Sequence, residues 1–303
     1  MCGRYTLAHS TEDILARFGV KALELPIAAR YNIAPSNWVP IIIANQMEGG
    51  RRIEAARWGF VASWVRDVNQ TGAQRVAPMI NARSESIAVK PFFKTAFRAR
   101  RCIIPADSFY EWTGEGKARK PWRVHLKDKG LMGFAGLFED WSSLDGVEIR
   151  TCAIITVPAN RVMAQFHDRM PAIIPRHLEG RWLDPTNKNL PELESILKPY
   201  PDDQIVCHRV STQVNGTAID GKQLIAAIDP LQEKADEESQ ASAAKEIARQ
   251  LKAVGKNTSD ESSSSTSTSS SSDSSSNSNK EKGQARPRKK PPDNGQLSLF
   301  DQT

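Results

Sequence analysis

A cysteine stands directly behind the initiator methionine, in Met1-Cys2-Gly3-Arg4-Tyr5-Thr6. So small a second residue permits removal of the methionine, and Cys2 is then expected to begin the mature chain. An N-terminal cysteine carries two nucleophiles on adjacent carbons, an α-amine with a pKa of about 7.7–8.0 and a thiol of about 8.5. A lysine, near ~10.4, is mostly protonated at neutral pH and attacks carbonyls poorly. Toward an aldehyde, the amine forms a Schiff base that the thiol can close into a five-membered thiazolidine. That ring is far harder to hydrolyse than an open imine. Taken alone, a cysteine in second place is also what chance supplies.

Three further side chains suit such chemistry. In Phe109-Tyr110-Glu111-Trp112, strand alternation puts Glu111 opposite Tyr110 and Trp112 and on the face of Phe109. A carboxylate held among apolar groups has a raised pKa and moves protons near neutrality, although a solvent-facing glutamate is the plainer reading. His167 precedes Asp168-Arg169-Met170-Pro171, where the proline marks a turn or strand entry. Its imidazole can shuttle protons, or belong to a surface His-Asp-Arg cluster. Asn81 can donate and accept at once, which suits positioning, or it merely fixes a turn.

Seven segments then occur in order: Cys2-Gly3-Arg4-Tyr5, Tyr31-Asn32-Ile33-Ala34-Pro35, Arg57-Trp58-Gly59, Ile80-Asn81-Ala82-Arg83-Ser84-Glu85, Arg101-Cys102-Ile103-Ile104-Pro105, Phe109-Tyr110-Glu111-Trp112 and His167-Asp168-Arg169-Met170-Pro171. Together they resemble the SRAP family, the SOS-response-associated peptidases or abasic-site processing proteins. The resemblance covers about residues 2–225 and leaves out the tail. It implies a sensor of abasic sites in single-stranded DNA that crosslinks itself to the lesion through a thiazolidine at Cys2 and shields it from strand cleavage and error-prone bypass. The ring-opened abasic sugar is the aldehyde that an aminothiol requires. On this reading Glu111 and His167 move the protons of ring opening, dehydration and reversal, and Asn81 positions the amine or a sugar hydroxyl. The family name also admits a rival, a cysteine-type (auto)peptidase using Cys2 and His167. Its leader would be Met1 alone, and no peptide groove or oxyanion donor is legible.

DNA contact is expected from Arg4, Arg83 and Arg169 through phosphate pairing, with ordinary salt bridges as the alternative. Trp64 can stack on or wedge beside a base, or lie in the core. Thr156 and Ser211 are expected to line the pocket. Cys207-His208 has no further ligands at zinc spacing, so a strand pair is favoured and no metal or cofactor is expected.

The elements that must hold these residues read as many short strands with few helices. Ser10-Thr11-Glu12-Asp13 forms a capping sequence, with Ile14, Leu15 and Phe18 on one face and Gly19 as the stop. Strands are expected at Val39–Ala44, Cys102–Pro105, Trp122–Leu126, Leu131–Phe138, Val147–Val157 and Gln204–Val210, with a hairpin turn at Asp128-Lys129-Gly130. They do not alternate βαβ fashion. An α+β fold follows, with a largely antiparallel, barrel-like β core and flanking helices.

The 303 residues are 39% hydrophobic and 25% charged, and no apolar run spans a bilayer. The polar opening is unsuited to a signal peptide, and Cys2, Cys102, Cys152 and Cys207 form no Cys-x-x-Cys pair. A reduced, cytoplasmic, nucleoid-associated monomer is expected, without a membrane. The net charge of +6 resides entirely in residues 1–230, because 231–303 are balanced. Nucleic acid is the commonest polyanion such a domain would meet, though solubility explains the charge equally well.

The domain is therefore placed at 2–230, with a possible amphipathic helix in 231–254 whose stripe runs over Ala244, Ile247, Leu251 and Val254. Residues 255–295 are Ser-rich, then basic, and are expected to be disordered. The closing Gln296-Leu297-Ser298-Leu299-Phe300 is similar to the peptide with which bacterial proteins bind the replicative sliding clamp. That similarity marks Gln296, Leu297, Leu299 and Phe300 as clamp contacts and points to a bacterial source.

Overall fold

The computed structural model describes residues 2–21, 26–65, 77–116, 119–144, 146–229 and 231. Of the possible helix in 231–254 only Leu231 is among them, and the linker 255–295 and the peptide Gln296–Phe300 lie outside. Ser10 opens the first helix as its sequence directs, its hydroxyl accepting from the Asp13 amide at 3.1 Å. Helix α1 runs Thr11–Phe18, buries Ile14 and Phe18, and ends at Gly19 with φ +65°. Only glycine takes that left-handed conformation freely.

The strands follow as β1 (Tyr5–Leu7), β2 (Arg30–Ile33), β3 (Trp38–Ala44), β4 (Arg51–Trp58), β5 (Asn81–Arg83), β6 (Arg101–Ala106), β7 (Ser108–Thr113), β8 (Lys120–Leu126), β9 (Met132–Ser142), β10 (Glu148–Pro158), β11 (Arg169–Pro171) and β12 (Ile205–Arg209). Short helices α2 (Lys94–Ala99), α3 (Glu179–Leu183) and α4 (Leu190–Ile196) flank them. Five strands close on themselves in the order β10-β4-β3-β6-β9, with β9 returning to β10. All these pairings are antiparallel except β4–β10. The barrel-like core expected from the strand pattern is present, and closure leaves its strands without free edges.

Strand β10 outruns the barrel. Its first half pairs with β9, while Ile154–Thr156 pair in parallel with β5 and Thr156–Pro158 pair antiparallel with β11. The second sheet is antiparallel throughout, in the order β12-β8-β7-β1-β2. Aromatic side chains join the two layers: Tyr5 meets Trp58 edge-on at 5.4 Å and Phe134 at 6.0 Å, and Phe109 meets Phe134 at 6.0 Å. Inside the barrel, a Cβ on Gly136 would lie 2.7 Å from Cys102 Sγ, so the approach of β6 to β9 depends on that glycine.

The expected hairpin is corrected. Asp128-Lys129-Gly130 does turn the chain, with the Gly130 amide donating to Asp128 at 2.8 Å and Lys129 at φ +58°. Yet β8 pairs with β7 and β12, whereas β9 pairs with β6 and β10. The turn hands the chain from one sheet to the other, because barrel closure, not sequence adjacency, selects the partners of β9. Among the described residues all four cysteines are free thiols, and no helix is long and apolar enough to cross a membrane.

Candidate functional site

Register along β7 brings the start of the chain to Glu111. Tyr5 pairs with Phe109, and the Tyr110 amide donates to the Arg4 carbonyl at 3.0 Å. The chain ahead of Tyr5 therefore continues beside β7 and carries Gly3 and Cys2 past Glu111 and Trp112. Cys2 is buried, and its carbonyl accepts from Asn81 Nδ2 at 2.9 Å. Asn81 opens β5 opposite Ile154 of β10. Its other polar atom, Oδ1, is buried with no protein partner among the described residues.

Glu111 is only 4% exposed. Phe109 on its face belongs to the main core, while Tyr110 and Trp112 pack on the other side with Val210, Val214 and Leu224. Burial raises the Glu111 pKa above the ordinary carboxylate value, against nearby positive charge that includes His167 and Arg119. Burial also pushes the Cys2 thiol up, and the Glu111 carboxylate pushes it further. A hydrogen bond from the Arg4 amide to the sulfur works the other way. Burial thus disfavours the charged form of both members of the pair, the Cys2 thiol and the Glu111 carboxyl. Such a pair can pass a proton when the sulfur attacks.

His167 follows a 3-10 turn at Met163–Gln165, and its amide donates to the Met163 carbonyl at 3.0 Å. The imidazole Nδ1 lies 2.9 Å from the Arg169 amide nitrogen and 2.6 Å from Asp168 Oδ1. With Nδ1 so engaged, Nε2 is the nitrogen left for the cleft. That cleft, of about 430 Å³, is lined by Gly3, Arg4, Glu111, Trp112, Arg119 and His167 among others. No cluster of metal-ligating side chains occurs among the described residues.

Residues 1–217 match the family described as SOS response associated peptidase (SRAP). The chain belongs to the SRAP family. It is 39% identical over 228 residues to the abasic site processing protein YoqW of Bacillus subtilis (strain 168), covering 74% of this chain and 99% of that protein. It is 28% identical to the abasic site processing protein HMCES of Xenopus tropicalis, over 67% of this chain and 68% of the relative. A crystal structure of a Bacteroides thetaiotaomicron protein superposes with a TM-score of 0.64 at 22% identity, covering 75% of this chain and all of that one. That likeness shows a shared fold.

Within this SRAP domain the residues expected to meet DNA are placed unequally. Arg83 is exposed, makes no ion pair among the described residues, and lies two positions along β5 from Asn81. Trp64 is 57% exposed and meets Phe92 edge-on at 5.7 Å, so it stands outside the core. Arg4 Nη1 donates to Asn32 Oδ1 at 2.6 Å and to the carbonyls of Val214 and Gly216 at 3.0 and 3.2 Å. Arg169 is buried and pairs through both terminal nitrogens with Glu85, one contact at 2.9 Å. That pairing holds the Glu85 carboxyl down at about 2.

Thr156 is wholly buried beside Arg169, its carbonyl accepting from the guanidinium. It supports the site from within and offers no surface to a strand. Ser211 caps the 3-10 turn Thr212–Asn215 by accepting from the Gln213 amide at 3.3 Å, and it is not among the cleft-lining residues. Cys207 and His208 are neighbours on β12, and His208 Nε2 meets the Ile225 carbonyl at 3.1 Å. Arg119, which lines the cleft, and Glu85, which holds Arg169, have no role assigned by the sequence motifs. Arg119 sits in Gly114-Glu115-Gly116-Lys117-Ala118-Arg119-Lys120, and a Gly-rich basic loop between two strands was the available signal.

Proposed function

We propose that this protein senses abasic sites in single-stranded DNA and captures them covalently through Cys2 once Met1 has been removed. The observation that carries the reading is Cys2 itself: buried, pinned through its carbonyl by Asn81, and set beside Glu111, a carboxyl of raised pKa that lines a cleft together with Gly3 and His167. The names of the relatives supply the lesion.

The α-amine of Cys2 adds to the aldehyde carbon of the ring-opened sugar, giving a carbinolamine. Loss of its hydroxyl as water leaves an imine, with Glu111 and His167 handling the protons. The thiol sulfur then bonds to the imine carbon, and its proton passes through Glu111 to the nitrogen. One water is lost overall and no redox change occurs. The exposed Arg83 and the nitrogens of Arg4 other than Nη1 serve the phosphates, Arg169 holds the site's far side, and Trp64 stacks on a base.

The peptidase alternative sits less well with the electrostatics. A cysteine protease depends on a lowered thiol pKa, whereas burial and Glu111 both raise that of Cys2. One assay separates the two. Purified protein is incubated with an oligonucleotide bearing a single abasic site and then denatured. A protein-sized adduct lost in Cys2→Ala supports capture; an oligonucleotide left unshifted by the wild type refutes it.

The tail extends the proposal. Gln296, Leu297, Leu299 and Phe300 bind the bacterial sliding clamp, and a linker of about 40 residues, with a reach on the order of 35 Å, lets the domain sample nearby template in the nucleoid. Deleting residues 296–303 should abolish clamp pulldown and leave capture intact. Unchanged pulldown refutes the tether.

A further inference from the structure

One cation at the cleft has no task in the scheme above. Arg119 lines the cleft with Glu111 and His167, and its guanidinium stands 5.0 Å from the centre of the Trp112 ring. Arg4 lies 6.0 Å from the same ring. Trp112 is itself fixed, its ring N–H donating to Asn215 Oδ1 at 2.7 Å. Gly114 and Gly116, at φ +78° and +55°, turn the chain that brings Arg119 to this place.

The surrounding arginines are committed more fully. Arg169 is paired with Glu85, and Arg4 Nη1 serves three acceptors. Arg119 has an aromatic face for support and no carboxylate partner among the described residues. A guanidinium laid on a ring keeps its N–H edge open, and that edge matches two phosphate oxygens. Arg119 is also exposed, so a strand reaches it without rearrangement of the core.

We propose that Arg119, resting on Trp112, grips a backbone phosphate of the single strand at the mouth of the cleft. The inference rests on the DNA reading above and adds a specific anchor to it. A phosphate contact positions a strand without reading it, so Arg119 contributes equally to damaged and undamaged DNA. A different role is also open to this charge, because it helps to hold down the Glu111 pKa. That role would move the pH dependence of capture and leave salt dependence alone.

The test uses the full-length chain and a single-stranded oligonucleotide carrying a tetrahydrofuran abasic analogue. The analogue has no aldehyde, so binding is measured without capture. Arg119→Gln is expected to weaken Kd about threefold to tenfold at 0.1 M salt and to lower the slope of log K against log salt by about 0.7. The same factor is expected on an undamaged strand, and Arg119→Lys should keep most of the slope. Arg161→Gln, an exposed arginine paired with Asp202, should leave both quantities unchanged. An unaltered slope in Arg119→Gln while the wild type binds normally overturns the proposal, and a shifted capture pH profile with that unaltered slope assigns Arg119 to Glu111 instead. Failure of the wild type to bind either strand removes the underlying DNA reading as well.

Discussion

The Asn81 side-chain amide donates to the Cys2 carbonyl at 2.9 Å, joining the strand that leaves the barrel on β10 to the first residues of the chain. The bond is buried, so neither group has water as a substitute. Removing the donor leaves the Cys2 carbonyl unsatisfied at a cost of about 1–3 kcal/mol. If that cost falls on the reactive geometry, Asn81→Ala slows capture about tenfold to a hundredfold. Single-turnover capture on an abasic oligonucleotide measures it, and Asn81→Asp, which keeps the shape and loses the donor, should be slow as well. A wild-type rate in both variants removes Asn81 from the mechanism.

Glu111 ties activity and stability to pH in opposite senses. Because burial raises its pKa in the fold, the folded chain keeps that proton to a higher pH than the unfolded chain does. Its contribution to stability is present below about pH 4.3 and is lost as pH rises through the folded value. At pH above the folded value, ionising the buried carboxyl therefore weakens the fold. Glu111→Gln should raise the thermal midpoint at pH 7 more than at pH 4 while slowing capture. Wild-type capture should fall on acidification with a midpoint above ~4.3, a limb that Glu111→Gln lacks. Equal midpoint gains at both pH values, or a surviving acid limb, contradict this.

Glu179 is buried between Arg17 and Arg51, each 2.7 Å from one of its oxygens. Substituting it strands the largely buried Arg17 charge, so Glu179→Ala should cost about 3 kcal/mol in urea denaturation. It does not line the cleft, and capture per folded molecule should stay unchanged. A loss below about 1 kcal/mol would show that the arginines find water or other partners.

Gly136 and Cys102 test barrel packing. An added methyl at Gly136 meets the Cys102 sulfur at 2.7 Å and Ile104 at 3.0 Å. Gly136→Ala should destabilise by about 1–3 kcal/mol. Cys102→Ala should be less harmful in that background than in the wild type, and strict additivity would contradict the contact.

These relationships were unequally legible in the sequence. Helix α1 was readable from Ser10 and Gly19 because its cap and stop are local. Strands β3, β6, β8 and β12 were readable from their apolar and β-branched runs. Strand β4 was not, since Arg51-Arg52-Ile53-Glu54-Ala55-Ala56-Arg57-Trp58 carries too many charges for a half-exposed strand to stand out. Nor was the pairing of β9 with β6 and β10, which is fixed by closure over long separations. The motifs put Cys2, Asn81, Glu111 and His167 on the same short roster, and the fold gathers them. What they did not reveal is who holds whom: Glu85 on Arg169, Asn32 on Arg4, and the Trp112 face under Arg119 are meetings between distant segments.

The central claim is most directly tested by mass spectrometry of the adduct. Active protein is reacted with an abasic oligonucleotide, the DNA is trimmed by nuclease, and the tryptic peptide Cys2-Gly3-Arg4 is examined. The account expects that peptide without Met1, carrying the sugar remnant with loss of one water and with both amine and sulfur blocked. A remnant on a lysine, or Met1 still joined to Cys2 in the crosslinked species, would contradict it.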